Sequence, residues 1–319
     1  MTAEIGGELW FECIAEDSVK IVRYWNPGRR RPALGWVRKG GIVDISELLA
    51  SEDASLETLL DAAEDRQLSL EALLTQSGSR LESSYSCEQL DIAPDPGKPH
   101  LLQPVVSPEV WAAGVTYERS RRAREAESDV ADVYERVYDA KRPEIFFKAT
   151  PSRCVGPNMP LGLRGDSRWI VPEPELALIL DGKLGIVGFT LGNDMSCRDI
   201  EGENPLYLPQ AKVFANCCSL GPAVLLAEGK AMPEFVISCR ILREGKPVFE
   251  DKTSTEKMHR SFAELVQYLG RHNPVPAMTT LLTGTGIIPP GDFSLQAGDV
   301  VEISSPSIGV LRNPVELLA

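Results

Sequence analysis

Apolar and polar residues alternate along Val19–Trp25, and again along Leu34–Arg38 and Ile42–Ile45, which face each other across Lys39-Gly-Gly41. A period of two buries one face of a strand, and a Gly-Gly dipeptide suits a tight hairpin, so this stretch is predicted to be a small antiparallel unit. From residue 46 to 82 the period changes. Leu48, Leu49, Leu56, Leu59, Leu60, Leu70, Leu73 and Leu74 recur at helical spacing and predict one to three short helices whose stripe fills a core. Pro94-Asp-Pro-Gly-Lys-Pro99 with Gln103-Pro104 then excludes regular structure and stiffens the chain, which places a domain boundary at residue 104. The expected organisation is a small α+β domain over 1–104 and a larger domain over 105–319.

The larger domain opens with a predicted strand, Val110–Val115. Tyr117–Ala140 is charged and helical in composition, and Val130, Val133, Tyr134, Val137 and Tyr138 form only a narrow apolar stripe. That pattern describes a solvated helix lying loosely on the surface, or a lid over a site. Arg142–Thr150 is an aromatic strand flanked by Glu144 and Lys148, and residues 155–168 form a loop. Val171–Gly182 is a strand in which Pro174 can give no ladder hydrogen bond, so Pro174 marks a strand start or an edge. Glu173 and Glu175, two positions apart, point to the same side. With Asp181-Gly182 as a two-residue turn, position i faces 363 − i, which sets Glu173 against Thr190. Asp194 then has the right facial parity but lies roughly 13 Å further along, so it reaches the glutamates only by a bend near Gly188 or Gly192.

Downstream, strands over 234–242 and 247–250 are joined at Arg243-Glu-Gly-Lys246. Ser254 or Thr255 is predicted to cap a helix carrying Met258, Phe262, Leu265, Val266 and Leu269, with Gly270 in a left-handed C-terminal position. Thr280–Pro290 reads as a strand entering a Gly284-Thr285-Gly286 loop, and Val300–Ser304 with Gly309–Leu311 closes the sheet.

Composition narrows the function classes. A net charge of −13 and a pI near 4.9 oppose binding to nucleic acid or to an anionic membrane. No stretch is apolar over a bilayer's width, the N-terminus lacks the pattern of a secretory leader, and the seven cysteines are scattered without a C-x-x-C pair. A reducing cytoplasm is the expected setting. Cys217-Cys218 read as small buried residues.

Glu173, Glu175 and Asp194, with no His or Cys partner, make a hard-oxygen set suited to Mg²⁺, Mn²⁺ or Ca²⁺. Two carboxylates running straight into an apolar strand otherwise lack a counter-charge, and unpaired buried charge is costly.

Three strings of residues resemble a known family. Pro172-Glu-Pro-Glu-Leu-Ala177, Asn193-Asp-Met-Ser-Cys-Arg-Asp199 and Phe214 with Leu220-Gly-Pro222 are similar to the signature of the fumarylacetoacetate hydrolase superfamily. The longer run from Tyr138 to Pro151, with Glu203–Lys212 and Thr283–Pro289, resembles its 2-keto-3-deoxy-D-arabinonate dehydratase branch. The resemblance covers residues 110–311 and is loose before them. It implies an α+β, mainly β chain with a mixed β-roll C-terminal domain, a smaller N-terminal domain, and a homodimer or homotetramer. It also implies that Glu173, Glu175 and Asp194 ligate a divalent metal, chiefly Mg²⁺, that Glu144 and Lys212 are catalytic, and that Lys148, Arg198, Gly284, Thr285 and Gly286 bind substrate.

The implied reaction is dehydration of a 2-keto-3-deoxy pentonate, a small 2-oxo acid, to 2,5-dioxopentanoate. The base is Glu144 or Lys212, with Glu144 favoured and Lys212 assigned as a cation for the substrate. Hydrolysis or decarboxylation of an acylpyruvate-like acid on the same scaffold is the alternative, and a non-catalytic binding protein is a third reading. Members that hydrolyse C–C bonds carry a His after the strand before the lid. Here that stretch is Tyr117-Glu-Arg-Ser-Arg-Arg-Ala-Arg124, and His100, His259 and His272 fall elsewhere, which favours a lyase.

Overall fold

The computed structural model describes residues 18–38, 41–49, 52–78, 83–127, 136–227 and 233–319. Its organising strand is Pro174–Leu180, Pro-Glu-Leu-Ala-Leu-Ile-Leu, buried at every position. A near-continuous apolar run requires cover on both faces. The strand lies between antiparallel neighbours, Ile186–Asp194 on one side and Thr279–Leu282 on the other.

From that centre an eleven-stranded sheet extends both ways. On one side Ile186–Asp194 is followed by Cys218–Leu226, Lys20–Asn26, Arg31–Arg38 and Gly41–Asp44; on the other, Thr279–Leu282 is followed by Val110–Gly114 and Glu144–Ala149. A five-stranded sheet packs against it in the order Lys246–Ser254, Val236–Arg243, Val300–Ser305, Gly309–Leu317 and Leu161–Leu163. Leu176, Leu178, Phe189 and Leu281 of the first sheet and Ile237, Ile241, Ile303 and Leu311 of the second share one core. The result is the mainly β, α+β architecture expected from the sequence.

The N-terminal hairpin pairs as the alternation predicts, with Gly35 against Asp44 and Arg38 against Gly41; its turn residues Lys39 and Gly40 lie outside the described residues. The Leu-spaced segment forms helices Leu56–Asp65 and Leu70–Gly78, the first closed by a Ser55–Thr58 capping box. Leu56, Leu59, Leu73 and Leu74 are buried in a second core with Val19, Ile21 and Leu34, completed by Ile179 and Val224 from the central strands. The hairpin is continuous with the main sheet through Lys20 opposite Leu225.

Two local expectations change. Ser254 does cap a helical turn, the 3-10 helix Thr255–Lys257, but the α-helix begins only at Phe262, capped by Ser261, because Met258 bridges Tyr117 and the His259 N–H donates to the Thr116 carbonyl at 2.8 Å. A tertiary strand contact has outbid local helix propensity there. Gly270 closes that helix at φ −80°, not left-handed; a β-carbon at this position would collide with Leu184, so the glycine serves a close approach.

Candidate active site

The hairpin that sets the carboxylates departs from the expected register. Asp181 and Gly182 belong to a five-residue loop, in which the Asp181 carboxylate accepts from the Lys183 and Gly185 N–H groups, both at 2.7 Å. Leu180 pairs with Ile186, and a bulge between Ile179 and Leu180 shifts the register so that Ile179 pairs with Gly188 and Glu175 with Gly192. The Asp194 N–H therefore donates to the Glu173 carbonyl at 3.0 Å, placing the two residues side by side. No fold-back is needed. The irregularity beside Gly188 acts on register: without it Asn193 would stand opposite Glu173 and Asp194 would turn to the other face. Pro174 begins the strand, as its missing N–H requires.

Glu173, Glu175 and Asp194 are 5%, 1% and 1% exposed, and one oxygen from each lies within 4.8 Å of the others. Four buried cations surround them. The Lys212 ammonium donates to Glu173 Oε1 at 2.8 Å and Asp194 Oδ2 at 3.0 Å. Arg124 Nη2 donates to Glu173 Oε1 at 2.8 Å, and Arg198 Nη2 lies 3.1 Å from the same oxygen. Lys148, fully buried, sits 2.7 Å from Asp194 Oδ1 and donates to the main-chain oxygens of Met195 and Lys212. Glu175 Oε2 accepts from the Gly284 N–H at 2.5 Å. Its other oxygen is buried and has no hydrogen-bond partner among the described residues. Burial, then the charges of Asp194 and Glu173, raise the Glu175 carboxyl well above the carboxylate range. An orphaned carboxylate oxygen beside two more is what a hard divalent cation would satisfy, so the residues fit a metal.

A cavity beside the trio is lined by Glu173, Lys212, Gly284, Thr285, Glu144, Glu201, Arg124 and Ser120. Glu144 comes from the Glu144–Ala149 strand and faces Gly114 across the ladder; a β-carbon on Gly114 would collide with its carboxylate. Burial, then the nearby Glu201 charge, pushes the Glu144 carboxyl up to about 7. Burial pulls Lys212 downward, but Asp194, Glu173 and Glu201 more than reverse this and hold its ammonium above the usual lysine range.

The expected residues thus divide. Glu144, Lys212, Gly284 and Thr285 line the cavity with Glu173, while Glu175 and Asp194 cluster with Glu173 without lining it themselves. Lys148 and Arg198 lie behind the carboxylates and hold them, and Gly286 packs against Tyr117 and Thr253. None of those three lines the cavity, nor does any of the three histidines. Sequence reading missed Ser120, Arg124 and Glu201. The helix bearing the first two, Glu118–Glu127, is not a loose surface element, since Arg124 is only 6% exposed; Val130, Val133 and Tyr134 lie outside the described residues. Nothing in its run of four arginines distinguishes Arg124 from its neighbours before the helix is docked.

Known proteins share this sequence and fold. The chain is 49% identical over 269 residues, 84% of its length and 91% of the relative's, to a probable 2-keto-3-deoxyxylonate dehydratase of Haloferax volcanii. It is 40% identical over 288 residues, 88% and 93% of the two lengths, to a 2-dehydro-3-deoxy-D-arabinonate dehydratase of Saccharolobus solfataricus. The solved structure of a 2-keto-3-deoxy-D-arabinonate dehydratase complexed with magnesium and 2,5-dioxopentanoate superposes with a TM-score of 0.78 at 35% identity, covering 94% of this chain and 99% of that one. A fumarylacetoacetate hydrolase from Exiguobacterium antarcticum, 22% identical with a TM-score of 0.68, shares the fold. The family description "Fumarylacetoacetate (FAA) hydrolase C-terminal" matches residues 109–316, so that the sheet holding the carboxylate trio, and the loops that close the cavity over it, are those of a member of the fumarylacetoacetate hydrolase family.

Proposed function

We propose that this chain is a divalent-metal-dependent hydro-lyase that dehydrates a 2-keto-3-deoxy pentonate to 2,5-dioxopentanoate. The observation that carries the reading is the buried Glu173–Glu175–Asp194 trio, whose Glu173 lines a cavity together with Glu144, in a chain closely similar over most of its length to dehydratases of such acids. Glu173, Glu175 and Asp194 would hold the cation, most suitably Mg²⁺, with Mn²⁺ or Ca²⁺ also matching an all-oxygen donor set. When bound, the cation supplies Lewis acidity toward the keto oxygen and orients the acid.

The protein's own groups supply the rest. Glu144 takes the proton from C3, and the C–H electron pair moves into the C2–C3 bond. Its elevated pKa suits this work, because a base titrating near neutrality can take a proton and return it. The Lys212 ammonium, fixed beside Glu173 and Asp194, offsets the negative charge that develops on the oxygens. The C4–O bond then breaks, the departing hydroxide takes the proton carried by Glu144 and leaves as water, and tautomerisation delivers the dioxo acid. Gly284 and Thr285 line the cavity in which the acid is oriented, and Lys148 and Arg198, which contact Asp194 and Glu173, act as positioning residues. A hydrolytic role would call for an imidazole at the cavity to activate water, and none of the histidines lines it.

We place the division at residue 104, where the N-terminal helices gather around a second core that also takes in Ile179 and Val224 and the main sheet runs through both parts. A cytoplasmic homodimer or homotetramer is the assembly we propose. The decisive experiment is incubation of the purified chain with Mg²⁺ and 2-keto-3-deoxypentonates. Formation of an aldehyde product that depends on Mg²⁺ is expected, and its absence with every stereoisomer would overturn the assignment.

A further inference from the structure

The Gly284 N–H that donates to Glu175 Oε2 belongs to the same peptide plane as the Thr283 carbonyl. A trans peptide is a rigid plate with its oxygen and its hydrogen on opposite edges, so whatever fixes the Thr283 oxygen also aims the Gly284 hydrogen. The strand Pro174–Leu180 anchors Thr283, whose N–H and hydroxyl both donate to the Leu176 carbonyl, at 3.0 and 2.9 Å, but these bonds leave the plate after it free to turn. Gly284 stands at φ +91°, and glycine is the residue least able to hold a peptide plane by itself. The orientation must come from elsewhere.

It comes from Thr116. Its hydroxyl donates to the Thr283 carbonyl at 2.7 Å, and a β-carbon on Gly284 would collide with that same hydroxyl oxygen. The bonds run in series, from hydroxyl to carbonyl and from the N–H of that peptide to the carboxylate, an order in which each bond polarises the next. Thr116 is fully buried and is held in turn, since its carbonyl accepts the His259 N–H and Tyr117 beside it bridges Met258. The chain reaches this position through Val115 at φ +53°, a left-handed conformation that a β-branched residue adopts only at a cost. Strain of that kind persists where the surroundings over-determine it, and here they deliver one hydroxyl to one carbonyl.

We propose that Thr116 is a positioning residue of the metal site, its hydroxyl setting the Thr283–Gly284 peptide so that Glu175 is held ready to ligate a divalent cation. The proposal rests on reading Glu173, Glu175 and Asp194 as metal ligands. Without the hydroxyl the plate can turn about the glycine, the N–H leaves Glu175, and the carboxylate loses the donor that orients it. Donors to a ligand's second oxygen control metal affinity although they never touch the ion.

The test is calorimetric titration of the chelator-treated full chain with Mg²⁺ alone. Thr116→Val keeps the side-chain volume and removes the hydroxyl, and it is expected to weaken Mg²⁺ binding about tenfold. Thr116→Ser keeps the hydroxyl and removes the methyl, and should stay within about threefold of the parent chain. A threonine that served packing alone would give the reverse order. Weakening by Ser as great as that by Val, or unchanged affinity with Val, would overturn the Thr116 assignment and leave the metal site standing. Should Thr116→Val fail to fold by thermal melt, Thr116→Ala takes its place with the same expected loss. A parent chain that gives no heat with Mg²⁺ would instead overturn the metal reading, and this proposal with it.

Discussion

Glu144 and Lys212 share one cavity yet are held in opposite senses, and the difference is local charge. For Glu144, burial and then the Glu201 charge outweigh the opposing Arg124 and Lys212 cations, and its carboxyl is pushed up to about 7. Lys212 touches two carboxylates and stays an ammonium. This argues for Glu144 as the base. Glu144→Gln, which cannot accept the C3 proton, should lower kcat by roughly 10²- to 10⁴-fold with a far-ultraviolet spectrum unchanged. The pH profile follows from the sign of the shift. Below about 7 Glu144 is protonated and cannot act as base, so kcat/KM should climb as pH rises through about 7 and level off above it. A rate already flat from pH 5 upward would contradict the assignment. Glu175→Gln removes one of the three clustered oxygen donors and should weaken Mg²⁺ binding by more than about tenfold in calorimetry.

At the scale of elements, the placement of Asp194 depends on one extra residue. The bulge between Ile179 and Leu180 leaves Val187 without a partner on the Pro174–Leu180 strand and converts a register that would turn Asp194 to the wrong face into one that sets it beside Glu173. Deleting Val187 should therefore abolish Mg²⁺ binding while leaving most of the sheet paired, readable as lost calorimetric heat with retained β-sheet circular dichroism. The helices Leu56–Asp65 and Leu70–Gly78 are held by their buried leucines against Ile179 and Val224 of the central strands. Leu59→Ala, at a site with no exposure, should cost about 2–5 kcal/mol in denaturant unfolding without altering KM.

Across the whole molecule, a net charge of −13 sits on a chain whose described cations include four buried around the carboxylate trio. Those four cations offset the buried carboxylates Glu173, Glu175, Asp194 and Glu201, so the acidic excess of the chain lies largely outside this cluster. Among the described residues no helix is long and apolar enough to cross a membrane. A ligand that binds only the folded state raises its stability, so Mg²⁺ at a hundred times its dissociation constant should add about 2.7 kcal/mol, and chelation should reverse it as a fall in Tm.

Much was decided by the linear sequence: the strand alternation, the Leu-spaced helices, the Glu-Pro-Glu strand start, and the oxygen-only character of the metal candidates all follow from periods and residue chemistry that survive without neighbours. The family motifs named the same residues. What only tertiary structure decided was everything that depends on pairing. The loop length and bulge that bring Asp194 opposite Glu173 are set by strand partners, and the docking of helix Glu118–Glu127, which buries one arginine among four, is set by the phase of a helix against a sheet. Lys148 and Arg198 carry charges that the sequence marks for a ligand, yet the fold places them behind the carboxylates. A side chain's type is local, but the side of a strand it faces, and the charge it finds there, are properties of the assembled sheet.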